Sequence, residues 1–288
     1  MSSSLPLTES AGIFLASGSE LAKAKGVILG APLDVTGSFR PGSRFAPSAV
    51  RTASSALEEH SIYLAKDLRD ISFHDAGDLI FPAGEINSSL DIISTGVSRC
   101  LEMGKKPFLI GGEHTVTFGA VKGCLDLYKE ITVIFIDAHA DLRLSYLGTA
   151  HSHAAVAYLL KQLDGITLYQ FGIRSADKEE MTMLTEGNAS LFTVLNPLKK
   201  LLPTLKNSLL YITLDIDVVD PAFAPGVSTP EPGGITSVEV LEIFSLLQDF
   251  KEQIIGFDLV EICPPYDHSQ ITSVLGAKIM REALLSLL

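Results

Sequence analysis

Short apolar runs alternate with longer stretches of helical spacing along this chain. The runs are Gly26–Ala31, Ile71–His74, Pro107–Ile110, Ile131–Ile136, Thr167–Phe171, Ser190–Val194, Leu209–Leu214 and Ile254–Val260. Each has the length of a buried strand, and several are rich in Val, Ile and Phe. They are continuously apolar rather than alternating, so both faces of the sheet must be covered by helices. The pattern predicts an α/β fold, a three-layer α/β/α arrangement with a mostly parallel sheet of about eight strands. Three helix starts are legible. Pro47 suits the first turn of a helix to about Glu59. Asn87 or Ser88 can cap a helix ending near Gly104. Thr236 with Glu239 forms a capping-box pattern for a helix to about Phe250. No linker, low-complexity tract or internal repeat interrupts the 288 residues, and one domain over 1–288 is expected.

Charge narrows the function. Asp and Glu number 34 against 22 Lys and Arg, a net charge of −12. Such a chain is a poor holder of nucleic acid or of an anionic membrane surface, whereas its field attracts metals and amines. The three cysteines, Cys100, Cys124 and Cys263, are too few and too dispersed for a disulfide framework or a zinc ribbon. No apolar run approaches the roughly 18 residues of a membrane span. Residues 1–25 lack the basic start and apolar stretch of a secretion signal. A cytoplasmic location is expected.

Open parallel sheets bind ligands just past the carboxyl ends of their strands. Here those ends are ionisable. Gly111-Gly112-Glu113-His114 follows one run, Asp137-Ala138-His139-Ala140-Asp141 a second, Asp215-Ile216-Asp217 a third and Glu261 a fourth. In an extended segment Asp137, His139 and Asp141 would point to one side, as would Asp215 and Asp217. A lone aspartate at a strand end is usually a helix cap, and a lone histidine usually a satisfied core residue. Three alternating ligand types after one apolar strand are hard to explain in that way. Carboxylates crowded on one rim repel one another and resist desolvation, and a cation removes both problems. Four aspartates and two histidines suit two divalent ions better than one. Carboxylate with imidazole favours a harder first-row ion such as Mn²⁺. Two such ions can share a bridging hydroxide, a strong nucleophile at neutral pH.

Gly-Gly-Glu-His at 111–114, Asp-Ala-His-Ala-Asp at 137–141 and Leu-Asp-Ile-Asp-Val-Val-Asp-Pro at 214–221 resemble, in order, the three metal motifs of the ureohydrolases, the arginase and agmatinase family. The likeness spans nearly the whole chain. It implies an arginase-like fold, two Mn²⁺ ions and hydrolysis of a guanidino group to urea and an amine. It further implies one ion on His114, Asp137, Asp141 and Asp215 and another on Asp137, His139, Asp215 and Asp217. Glu261, in Val-Glu-Ile-Cys-Pro-Pro, matches the guanidinium-contacting glutamate. His153, in Ser-His-Ala, matches the mobile catalytic histidine. Asp141 would carry the proton from the nucleophile to the leaving nitrogen. A homo-oligomer, trimeric or hexameric, is also implied.

Within the family the details resemble agmatinases. Gly30-Ala31-Pro32-Leu33-Asp34-Val35-Thr36 leads into Arg40-Pro41-Gly42-Ser43-Arg44, and Tyr146-x-Gly148-x-x-x-Ser152-His153-Ala154 follows the second metal motif. The loop with which arginases hold an α-carboxylate is not recognisable, and Arg143 is the single cation nearby. Tyr158 and Leu159 stand where agmatinases of this type often carry an arginine pair. Asp177 falls where arginases keep an acid for the α-amine. It would bind the distal ammonium of the substrate or cap the following helix. The expected reaction is agmatine to putrescine and urea. Arginine, a guanidino acid or an aminopropyl-agmatine are alternatives, as is a non-catalytic metal- or polyamine-binding homologue. A zinc deacetylase of related fold needs only about three protein ligands, fewer than this set.

Overall fold

The structure is a computed structural model and describes residues 5–10 and 12–288. Its strands are β1 (Thr8–Glu9), β2 (Gly26–Ala31), β3 (His60–Ser61), β4 (Lys66–Asp67), β5 (Phe73–Leu79), β6 (Lys106–Gly111), β7 (Ile131–Ile136), β8 (Ile166–Ile173), β9 (Asn188–Leu191), β10 (Leu210–Asp215) and β11 (Ile254–Val260). The α-helices are α1 (Ala46–Ser54), α2 (Ile86–Glu102), α3 (Thr115–Leu125), α4 (Val156–Lys161), α5 (Lys178–Thr185), α6 (Leu195–Leu201), α7 (Ser237–Leu247) and α8 (Ile271–Leu287).

Nine strands form one sheet in the order β1-β5-β2-β6-β11-β10-β7-β8-β9, and β3 pairs with β4 apart from it. All neighbours run parallel except β1, which is antiparallel to β5. The eight apolar runs each supply one strand. The ninth is the two-residue edge β1, too short to carry a pattern.

Every residue of β2, β7, β10 and β11 is buried, because helices cover both faces. Ile134 and Ile136 point towards α6, α7 and α8, whereas Val133 and Phe135 point towards α2, α3 and α4. This alternation is what makes a continuously apolar strand read as two-sided. Thr236 caps α7 with Glu239, as the capping box predicts. The helix from Pro47 stops at Ser54, short of Glu59. Glu85, not Asn87 or Ser88, precedes α2, and Gly104 lies just beyond its end at φ +68°. No helix among the described residues is long and apolar enough to cross a membrane.

Candidate metal and guanidinium site

The four strands that end in ionisable residues, β6, β11, β10 and β7, are neighbours at the centre of the sheet. That adjacency brings together side chains from His114 to Glu261. A cavity of about 290 Å³ opens above the strand ends. His114, His139, Asp141, His153, Asp177, Asp215 and Glu261 line it. Asp137 and Asp217 are fully buried beside them.

The local geometry corrects one expectation. Extended backbone does not run through either group: Asp141 is left-handed and Asp217 lies in a 3-10 turn. Asp137 uses Oδ1 to accept the N–H of His139 at 2.6 Å. Asp215 uses Oδ1 to accept the N–H of Asp217 at 2.8 Å, at the start of the 3-10 turn Ile216–Val218. The same turn is made twice, and a short carboxylate favours it because it can satisfy backbone donors locally. In both cases Oδ2 is left free. It lies 3.0 Å from His114 Nδ1 for Asp137 and 3.2 Å for Asp215. Asp141 reaches the same nitrogen at 3.4 Å from a left-handed backbone, φ +50°. His139 Nδ1 lies 3.0 Å from Asp217 Oδ2.

These atoms crowd without satisfying one another. His114 Nδ1 and Asp137 Oδ2 are buried and have no aligned hydrogen-bond partner. Burial and the charge of Asp137 push Asp141 up to about 7. Burial and its acidic neighbours Asp217 and Asp137 hold Asp215 well above the ordinary carboxylate range. Burial alone would lower His114 and His139, but the surrounding carboxylates outweigh it and raise both. The site thus recruits protons to balance its charge, a task that divalent cations perform more fully. Two sets of ligand atoms lie close enough to hold an ion: His114, Asp137 and Asp141, and Asp137, His139 and Asp217. Asp137 is common to both. Oxygen with imidazole nitrogen is a donor set for first-row divalent ions.

Glu261 follows β11 at φ +66° and accepts the backbone N–H of His114 at 2.7 Å. Burial pushes its carboxyl up to about 8. His153 sits across the cavity. Its Nδ1 lies 3.2 Å from Thr36 Oγ1 and its Nε2 3.1 Å from Ser38 Oγ. Burial holds its pKa below the ordinary histidine value.

Asp177 takes the helix-capping role. Oδ1 accepts the N–H of Glu180 at the start of α5, completing a capping box. Oδ2 lies 3.5 Å from Arg143, whose guanidinium also lies over the Tyr146 ring. His151 stacks on Phe118 and does not line the cavity.

Glu113 has no role that its sequence pattern assigns. It is buried and accepts the N–H groups of Val35 and Thr36, each at 2.6 Å, the Thr36 hydroxyl at 2.8 Å and the Thr115 hydroxyl. It ties the loop carrying Thr36 and Ser38 to the strand end carrying His114. The Gly-Gly-Glu-His motif was its signal, overshadowed by the ligand beside it. Thr229, which donates to Asp217 Oδ2 at 3.3 Å, lay in no motif that pointed to it.

The sequence model of the arginase family matches residues 24–286. The chain is 45% identical over 276 residues to an agmatinase of Bacillus subtilis (strain 168), covering 95% of each chain. It is 32% identical over 272 residues to proclavaminate amidinohydrolase of Streptomyces clavuligerus, covering 90% of this chain and 86% of that one. Among solved structures, the agmatine ureohydrolase of Thermoplasma volcanium superposes with a TM-score of 0.85 at 32% identity, covering 97% of this chain and 95% of that one. The chain belongs to the arginase family and is an enzyme of the ureohydrolase kind.

Proposed function

We propose that this protein hydrolyses agmatine to putrescine and urea with two Mn²⁺ ions. One observation carries the substrate choice. Apart from Asp141 and Asp215, which would hold the ions, three carboxylates line the cavity, from Asp177, Glu180 and Glu261, against a single lining Lys or Arg among the described residues. That residue, Arg143, already faces Asp177 and Glu180. A dication such as agmatine meets complementary charge at both ends, whereas the α-carboxylate of arginine would meet no free cation. The 45% identity to an agmatinase supports the same reading.

His114, Asp137, Asp141 and Asp215 would hold one ion, and Asp137, His139, Asp215 and Asp217 the other. When bound, such ions lower the pKa of water and stabilise developing negative charge. Glu261 receives the guanidinium by charge-assisted hydrogen bonds and turns its carbon towards the ligand cluster. Water adds to that carbon. Asp141 takes its proton and returns it to the leaving nitrogen, the carbon–nitrogen bond breaks, and urea and putrescine depart. His153, held by Thr36 and Ser38, exchanges protons with solvent. Asp177 Oδ2, which faces Arg143, receives the distal ammonium.

The exposed apolar side chains of Phe39, Leu144 and Leu147 fit a homo-oligomer, trimeric or hexameric. The three buried free thiols fit a reducing cytoplasm. The substrate assignment is tested by kcat/KM for agmatine against L-arginine on Mn²⁺-loaded protein. Preference for agmatine by at least about 100-fold is expected from the missing carboxylate partner. Equal or greater turnover of arginine would overturn it.

A further inference from the structure

Behind His114, on the side away from the cavity, lies a buried polar group that the proposed hydrolysis leaves unused. Asp258, in the middle of β11, is fully buried. Its register partner on β10 is Thr213. Tyr211, Thr213 and Asp215 alternate along β10 and so share one face of the sheet. The Tyr211 hydroxyl donates to Asp258 Oδ2 at 2.8 Å. Asp258 Oδ1 is buried without an aligned partner. Thr213 Oγ1 lies 3.0 Å from Thr117 Oγ1 and 3.1 Å from His114 Nε2. Burial pushes the Asp258 carboxyl up, and the hydroxyls of Thr213, Tyr211 and Thr117 pull it partly back.

The hydrogen-bond inventory gives this chain a direction. His114 Nδ1 faces the carboxylates of the site. To offer a lone pair there, the ring must carry its proton on Nε2. Thr213 Oγ1 must then accept from Nε2, and its own proton must go elsewhere. A carboxylate is the one neighbour that only accepts. Tyr211 occupies Oδ2 of Asp258, and Oδ1, without an aligned partner, is open to accept.

We propose that Asp258 is a positioning residue for the metal site: it draws the hydroxyl protons of Thr213 and Thr117 to itself and thereby fixes His114 as the Nε2–H tautomer, with Nδ1 as ligand. The inference rests on the binuclear reading above. It explains why β11 keeps an acid in a strand whose other side chains are apolar, at the cost of burying a polar group without a salt bridge.

The test is stepwise Mn²⁺ titration of metal-free protein, with the His114 tautomer read by ¹⁵N NMR in the Zn²⁺-loaded form. Asp258→Asn keeps the shape but brings a donor that competes with the hydroxyls. It is expected to weaken one of the two binding steps by about 10–100-fold and leave the other unchanged. Thr213→Val should do the same, and Thr213→Ser, which restores the hydroxyl, should bind as the wild type does. The threonine pair carries the test if Asp258→Asn does not fold. Two unchanged steps in Asp258→Asn or in Thr213→Val would overturn the inference alone. So would an Nδ1–H tautomer in the loaded wild type, or Thr213→Ser binding as weakly as Thr213→Val. Wild-type protein that takes up no Mn²⁺ would overturn the metal reading and this inference with it.

Discussion

Glu261 accepts a hydrogen bond from the backbone N–H of His114 at 2.7 Å, so the residue assigned to the guanidinium and the first metal ligand are fixed to each other across β11 and β6. The carboxylate therefore has two tasks that two substitutions separate. Glu261→Ala leaves a buried N–H without a partner, at a cost of about 1–3 kcal/mol. Glu261→Gln keeps an acceptor for that N–H but removes the charge. Both variants are expected to retain two ions and lose about 100-fold or more in urea release, while only Glu261→Ala loses stability. A denaturant melt alongside the rate checks this, and normal turnover in Glu261→Gln would move the guanidinium elsewhere.

The proton path predicts a different signature. His153→Ala should hold both ions and turn over slowly, by about 10²–10⁴-fold. Thr36→Val removes the hydroxyl that stands between Glu113 and His153. It should slow turnover in the same direction and less severely. Metal content measured with the rate separates the two causes, and wild-type rates in His153→Ala would remove His153 from the mechanism.

Protonation of the metal-free site predicts its pH dependence. Asp141 is raised from 3.8 to about 7 and Glu261 from 4.5 to about 8. Each holds a proton in the folded chain at pH values where the unfolded chain has lost it. The corresponding stability is fully present below about pH 4 and is lost as pH rises through 7 to 8. His139, raised above 6.5, acts in the same direction above that pH. Asp137 is lowered and acts in the opposite direction, but only below its ordinary 3.8, and His153, held below 6.5 by burial, opposes the trend only below that value. The Tm of metal-free protein should fall between pH 5 and pH 9. Ion binding near pH 6.5 should release protons into a weakly buffered solution. A rising Tm, or ion binding without proton release, would contradict the assignment.

Gly112 sets how closely the N-terminal loop approaches the site. A Cβ there would lie 1.9 Å from the carbonyl oxygen of Leu33. That residue in turn accepts the N–H of Glu113. Gly112→Ala must displace the loop that carries Thr36 and Ser38. A loss of about 1–3 kcal/mol in urea-melt stability is expected, with slower turnover. Unchanged stability would mean that the loop is free to move.

The sheet was legible because its strands are apolar throughout, and the site because charged residues interrupt that apolarity at the strand ends. What was not legible follows from long-range order. Nothing local states that β10 and β11 return to lie between β6 and β7, yet that insertion is what brings Asp215 and Glu261 to His114. The left-handed backbones of Asp141 and Glu261 were equally hidden, because a residue other than glycine adopts that conformation only when its surroundings impose it. Asp177 was ambiguous because its two oxygens do different things, one at the cap and one towards Arg143.

The central claim is that two ions held by these strand ends drive hydrolysis of agmatine. The direct measurement is titration of metal-free protein with Mn²⁺ while urea release from agmatine is followed. Activity should appear on loading and saturate at two ions per chain, and Asp217→Ala should lose both the second ion and the activity. Urea release persisting in the presence of a chelator, or full activity at one ion per chain, would contradict the account.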